Sequence, residues 1–260
     1  MLADQKVVAV MPGLNVASTL ERTVRAIPEG VVDVVLLVDD GSTDDTVNEA
    51  ARLGIACISH AQNLGYGAAQ KTGYREALAL GADVAVLLHP DFQYKPELVP
   101  PIASMVIHGG YDIVLAARVL VGGALAGGMP RWKYAANRFL TWTENALIGA
   151  SFSEYHTGYR AYSRAALERL PMANNRNDYA FDSEVLAQAV GLGLSVGEIS
   201  CPAHYFDEMQ TITFGPGVRY GLGCLQIAGR YAAERLGVPT GILGGPTLDA
   251  WTAGTWALRP

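Results

Sequence analysis

The chain is short of cysteine, of charge and of long apolar runs. Its 260 residues include three cysteines, Cys57, Cys201 and Cys224, widely separated and without a CxxC pair. Such a set excludes a disulfide framework and a cysteine zinc site, and reads as buried thiols in a reducing cytosol. Charged residues are only 17% and the formal net charge is −6. Nothing there makes a basic face, so nucleic acid is not an expected partner. Nowhere do about 18 apolar residues follow one another, the length a spanning helix needs. The richest segment, 215–237, is interrupted by Arg219, Arg230, Glu234 and Arg235. The opening MLADQKVVAV has too short an apolar run for a secretory leader. The expectation is a cytoplasmic protein, with peripheral contact at the cytoplasmic membrane face left open.

What the chain does have is 50% hydrophobic residues in a repeating order. Continuous apolar runs at 6–11, 33–38, 55–59 and 84–88 read as buried strands. Helical patterns at 18–26, 43–53 and 68–80 lie between them. Ser18 and Glu21 form a capping box for the first helix; Gly54 and Gly81 end the second and third. This alternation predicts βαβ units and a mainly parallel sheet with helices on both faces. Further strands are expected at 113–117, 155–162 and 195–199, and helices at 131–148, 164–170 and 181–190. The glycine-rich stretch 121–129 reads as an irregular loop suited to a lid. Trp132, Phe139 and Trp142 on the helix after it either build core, the commoner use of such a stripe, or rest on lipid. The final twenty or so residues read as a tail.

In an open parallel sheet, ligands gather at the carboxyl ends of strands. Three of these ends carry polar loops: Pro12-Gly13-Leu14-Asn15, Asp39-Asp40-Gly41-Ser42 and His89-Pro90-Asp91-Phe92-Gln93. A carboxylate at such an end accepts hydrogen bonds from a nucleobase edge or ribose hydroxyls, although Asp, Asn and Gly also make ordinary turns. Asp91 and Gln93, two apart in extended chain, face one way and suit a divalent ion at a leaving diphosphate. His89 shares that face and adds either a nitrogen ligand or a plain hydrogen-bonding group. His204, in HYFDE, is a further candidate nitrogen. Gly65 and Gly67 form GxG, but Gln70 stands where a dinucleotide fingerprint needs a third glycine. A nucleotidyltransferase would need a basic glycine-rich loop after the first strand, and 12–15 has none. No GxSxG elbow supports a hydrolase.

Taken in order, VDDGSTDDT (38–46), NLGYGAA (63–69) and the acid-plus-Gln motif after the fourth strand resemble the family-2 inverting glycosyltransferases. The likeness is greatest to dolichol- and polyprenyl-phosphate hexosyltransferases, and it covers roughly residues 7–202. The resemblance implies a GT-A, Rossmann-like fold in one domain over 1–237. Within it, 1–118 would be the nucleotide-sugar half, 119–206 the acceptor half and 207–237 a C-terminal helix, with 238–260 as tail. It implies a UDP- or GDP-sugar donor, Mn2+ or Mg2+, and a lipid-phosphate acceptor; a second copy of the chain is an open partner. Pro12, Gly13, Asn15, Asp39, Asp40, Gly65, Gly67, His89, Pro90 and Asp91 would line the nucleotide-sugar site. Asp91, Gln93 and His89 would hold metal, Arg118 would meet the phosphates, Arg131 and Arg160 the acceptor, and Glu184 the reaction centre. The chain departs from the family twice. His89 replaces an aspartate, which leaves an inactive nucleotide-sugar-binding module as an alternative. Val16 replaces a glutamate after Asn15. A soluble hydroxyl acceptor is the other alternative.

Overall fold

The computed structural model describes residues 4–202, 214–252 and 258–259. In chain order they form β1 (Val7–Gly13), α1 (Ala17–Arg25), β2 (Val34–Asp39), α2 (Thr46–Leu53), β3 (Ala56–Ser59), α3 (Tyr66–Ala79) and β4 (Val84–Leu87). There follow α4 (Val99–Ile107), β5 (Ile113–Ala117), α5 (Gly123–Ala126), α6 (Arg131–Ile148), β6 (Arg160–Ser163) and α7 (Arg164–Arg169). The last elements are α8 (Phe181–Gly191), β7 (Val196–Ser200), α9 (Phe214–Arg235) and the two-residue β8 (Leu258–Arg259). His204 lies outside the described residues.

The strands lie in one sheet in the order β7-β5-β6-β4-β1-β2-β3-β8. β1 to β4 are mutually parallel, as their unbroken apolar runs require, whereas β6 runs antiparallel to both β4 and β5. Val8 and Val10 face one layer of core, Val7 and Met11 the other. Each fully buried side chain of this kind contributes about 1.5–3 kcal/mol. α3 approaches β1 so closely that a Cβ on Gly73 would lie 2.3 Å from Val10 Cγ1. Gly73→Ala would push helix and strand apart. From β1 the chain winds outward to β3 and then returns to the other side of β1 as β4. That reversal opens a crevice at the carboxyl ends of β1 and β4, where ligands sit in sheets of this kind.

Several local expectations change. β1 runs through Pro12 and Gly13, which pair with Val38 and Asp39. α1 begins one residue earlier than expected, so Ser18 lies inside it and makes no cap. Instead Val16 N donates to Thr46 Oγ1 (2.9 Å), at the start of α2, and Ala17 N to Asp44 Oδ2 (3.2 Å), in the β2–α2 loop. α3 starts within the glycine-rich turn, at Tyr66. Only 160–163 of the run 155–162 and its neighbour joins the sheet, because the preceding loop turns across the strand ends. α4 was not expected: Pro100 and Pro101 sit in its first turn, where an N–H donor would have no intrahelical acceptor and its loss costs nothing. Part of 121–129 is the short α5, with Ala124 buried. The segment read as a tail packs on the body: Ile242 and Leu248 are buried in the core, and Trp251 Nε1 donates to Thr72 Oγ1 (3.2 Å).

α6 matches its expected bounds and is inverted in character. It buries Asn137, Thr141 and Glu144 along with Ile148. Trp132, Phe139 and Trp142 are 48%, 59% and 68% exposed, so the aromatic stripe does not build core. α9 packs beside α6 and exposes Val218 and Leu222.

Candidate active site

Strand register brings the polar loops to one edge. Gly13 is paired with Asp39 and Val10 with Leu87; a Cβ on Gly13 would lie 3.4 Å from Pro90 Cγ. Antiparallel β6 starts at this same edge, Arg160 opposite Leu87, and so delivers the 157–160 loop there as well.

On the β1–β2 side, most polar groups hold each other. Asn15, with φ 55, accepts from Thr43 N (2.9 Å) and Asp44 N (3.3 Å) through Oδ1, and its own amide donates to Ser42 Oγ (2.7 Å). Its side chain therefore ties two loops together. Asp40 accepts from Leu64 N (2.9 Å) and Gly65 N (2.8 Å) and contacts His60 Nδ1 at 2.7 Å. It builds the 63–65 turn. His60 was missed from sequence; it continues through Nε2 to Thr72 Oγ1 (3.0 Å), the residue that Trp251 also reaches. Asp39 differs: Oδ1 takes Ser42 N (3.1 Å), while Oδ2 has no hydrogen bond among the described residues. Asp39 therefore keeps one carboxylate oxygen outside the contacts that hold the two loops together. Gly65 and Gly67 serve the loop opposite, since a Cβ on either would lie 2.5 Å from the Asn177 or Arg176 carbonyl oxygen.

After β4, Asp91 Oδ1 accepts from Gln93 N (3.0 Å), with Phe92 between them at φ 58. The Arg22 guanidinium stacks on Phe92 at 3.8 Å. His89 sits among Tyr66 and Tyr94, with ring centroids at 5.3 and 5.8 Å. Burial lowers its pKa against the opposing pull of Asp91. Its Nε2 meets Tyr66 Oη at 3.0 Å, and Tyr66 donates to Asp182 Oδ2 (3.1 Å). Sequence reasoning missed Tyr66 and Asp182. The signal lay in FDSEVL, two residues ahead of the glutamate it chose.

Three expected site residues turn out to be otherwise engaged. Glu184 accepts from Arg176 N (2.9 Å) and faces Arg230 Nη1 at 3.4 Å; burial raises its pKa. Asp182 is the acid beside His89. Arg118 is buried against Glu154, which takes its backbone amide (2.7 Å) and its Nε (2.9 Å) and pairs with Nη2. Its charge is thus largely neutralised before any phosphate arrives. Arg160 is fully buried, and its guanidinium donates to the Thr157, Asp182 and Tyr155 carbonyls. It braces the loop and offers no fork to an acceptor. Arg131 is exposed at the first turn of α6, a turn with no acid, close to Lys133.

Among the described residues, no three His, Cys, Asp or Glu side chains converge as a ready metal cage. Asp91 with one engaged oxygen, near His89 and Gln93 in the chain, still fits a divalent ion whose remaining ligands come from substrate phosphates.

The family model described as glycosyl transferase family 2 matches residues 8–171, more than half of the chain. The chain belongs to glycosyl transferase family 2. It is 27% identical to the UDP-N-acetylglucosamine–dolichyl-phosphate N-acetylglucosaminyltransferase of Methanococcus voltae, covering 78% of this chain and 88% of that one. It is also 27% identical to the polyprenol monophosphomannose synthase of Mycolicibacterium smegmatis (75% and 76% covered). Identity to the dolichyl-phosphate hexose transferase of Haloferax volcanii is 30% (68% and 72% covered). Among solved structures, glucosyl-3-phosphoglycerate synthase of Mycobacterium tuberculosis with UDP superposes with a TM-score of 0.68 at 22% identity, over 91% of this chain and 82% of that one. The same enzyme with Mn2+ and UDP-glucose gives 0.65 at 25% identity, covering 91% and 81%. The fold is GT-A.

Proposed function

We propose that this chain is an inverting hexosyltransferase that moves a sugar from a UDP- or GDP-linked donor to a polyprenyl phosphate. The observation that carries the reading is the pairing, at one sheet edge of a family-2 domain, of carboxylates Asp39 and Asp91 with a basic, apolar helix. Asp39 Oδ2 faces the nucleoside, with Pro12 and Gly13 forming the floor. Asn15 and Asp40 keep that pocket in shape without contacting the nucleotide through their engaged atoms. Asp91, Gln93 and His89 would hold a divalent ion, Mn2+ or Mg2+, which neutralises the diphosphate as it leaves.

A phosphate acceptor is already anionic and needs no general base. Arg131 and Lys133, in a helix first turn lacking acids, are suited to hold it, because helix dipole and cations act in the same sense there. The acceptor oxygen attacks the anomeric carbon opposite the leaving diphosphate, which inverts it. Trp132, Phe139 and Trp142, with Val218 and Leu222 of α9, make an apolar surface flanked by Arg131, Lys133, Arg138 and Arg219. Anionic lipid suits this combination of apolar area and cations, and it would deliver a membrane-bound acceptor to Arg131.

The test is incubation with UDP- and GDP-sugars and Mn2+, with and without polyprenyl phosphate. Nucleoside diphosphate release that depends on polyprenyl phosphate is expected. Transfer only to soluble hydroxyl acceptors would replace the lipid part of the reading, and donor binding without turnover would mark an inactive module.

A further inference from the structure

The position beside Asp91 holds histidine, and histidine has two nitrogens with opposite hydrogen-bonding roles. Which of them faces outward is decided by the partner of the other. Tyr66 Oη lies 3.1 Å from Asp182 Oδ2 and 3.0 Å from His89 Nε2. Asp182 is surrounded by donors: Gln70 Nε2 reaches its Oδ1 at 3.1 Å, and Arg160 Nη1 lies at 3.8 Å. Gln70 is itself oriented by Tyr74 Oη, which donates to its Oε1 (2.7 Å). A carboxylate so placed can only accept, so the single Tyr66 proton goes to Asp182. Tyr66 oxygen must then accept from His89, whose Nε2 carries the hydrogen. Nδ1 is left with the lone pair and has no hydrogen bond among the described residues.

Space for this relay is built in. A Cβ on Gly158 would lie 2.3 Å from His89 Nε2 and 3.0 Å from Tyr66 Oη. The glycine of the 157–160 loop therefore leaves room for the Tyr66–His89 pair.

We propose that Asp182 is a positioning residue that, through Tyr66, locks His89 as the Nε2–H tautomer and leaves Nδ1, two residues from Asp91 along the chain, as a nitrogen donor. The proposal rests on the reading of Asp91 as the ion-holding carboxylate and deepens it by naming the class of ion. Imidazole favours transition ions over magnesium. The site selects Mn2+ or Zn2+ over Mg2+, and Asp182 with Tyr66 sets that selectivity. Groups standing behind a ligating histidine in this way typically change metal affinity by about 10–100-fold.

Two measurements test it on the full chain with UDP as probe. Long-range 1H–15N spectra of the free protein should place the His89 proton on Nε2; a proton on Nδ1 overturns the relay. Pulsed electron paramagnetic resonance of the Mn2+–UDP complex should detect a directly bound nitrogen that disappears in His89→Gln. Absence of that nitrogen signal in the unsubstituted protein overturns the assignment. Asp182→Asn also strips buried Arg160 of its counter-charge, so Tyr66→Phe is the deciding variant. With circular dichroism unchanged, it should weaken Mn2+ binding at least tenfold and Mg2+ binding less than twofold. Equal changes for both ions would mean a merely structural tyrosine, and sink the proposal. Acceptor-dependent transfer without a bound nitrogen would retain the enzymatic reading and discard this one. A bound nitrogen without transfer would do the reverse.

Discussion

On the β1–β3 side of the sheet edge, which we propose takes the donor, carboxylates and amides are held by backbone groups of neighbouring strand ends. On the other side, which we propose takes the acceptor, α6, α8, α9 and the 154–160 loop meet around buried side-chain charges. Asp40 and Asn15 take main-chain N–H donors a few residues beyond β2 and β3. Arg118 and Arg160 instead sit under the surface, one paired with Glu154 and the other braced on three carbonyls with Asp182 nearby. Backbone-held groups are set once the strands pair, and they cost little desolvation. Buried charges rely on each partner being present, because loss of one leaves the other stranded in a low-dielectric interior. The difference sets a backbone-held edge, where a single loss costs less, beside a region of buried charges in which function and folding are hard to separate.

The sharpest way to break the comparison is Glu154→Ala. It should cost about 3–5 kcal/mol by removing the counter-charge of buried Arg118, read as a drop in denaturant midpoint at constant slope. A loss under about 1 kcal/mol would mean water already screens the pair. On the donor side, Asp91→Ala should reduce turnover by about 100-fold or more, in the range of lost electrostatic groups at reacting centres, with the denaturant midpoint nearly unchanged. Near-normal turnover would remove Asp91 from the site. Asp40→Ala should combine both kinds of effect at smaller size. About 1–3 kcal/mol of stability is lost because the Leu64 and Gly65 amides lose their acceptor, and calorimetric donor affinity falls with the turn.

The acceptor half also carries a pH signature. Glu144 is fully buried, and burial raises its pKa from 4.5 to about 8. Its Oε2 lies 3.3 Å from His156 Nε2, and burial lowers the His156 pKa to about 4. Both groups are neutral in the folded protein near pH 6. Above pH 4.5 the unfolded chain releases the Glu144 proton while the folded chain keeps it. Stability from this group therefore falls as pH rises from about 4.5 to 8. Glu144→Gln should thus raise Tm relative to the unsubstituted protein more at pH 8 than at pH 5; a pH-independent difference would exclude the raised pKa. Smallest of all, Trp142→Ser should change stability by less than about 0.5 kcal/mol, as exposed sites do. It should still reduce co-sedimentation with anionic vesicles. Unchanged sedimentation would count against the lipid-facing role of α6.

Much of the donor half was legible in the residues themselves. Unbroken runs such as VVAV and VVLLV mark strands buried on both faces, and a polar loop after each marks the edge where ligands gather. Both are local signals, and DDGSTDD added specificity to them. α6 was located from its pattern, yet its orientation was not. Trp132, Phe139 and Trp142 look like core until α9 and the 154–160 loop are seen to cover the opposite, polar stripe. Asp182 was passed over for a related reason, with Glu184 the acid read from FDSEVL. Both begin the same helix, and only the contacts of α3 and the 176 loop decide which one faces His89.

Sequence alone therefore determined the α/β architecture and the polar edge, because strand burial and turn chemistry are written within a few neighbouring residues, while the family came from the resemblance of its motifs. Tertiary structure decided which charges remain free for ligands. Arg118, Arg160, Asp40 and Glu184 all read as site groups in one dimension. Each is engaged by a partner brought close only when the sheet closes, and a charge already satisfied in the fold has little left to offer a substrate.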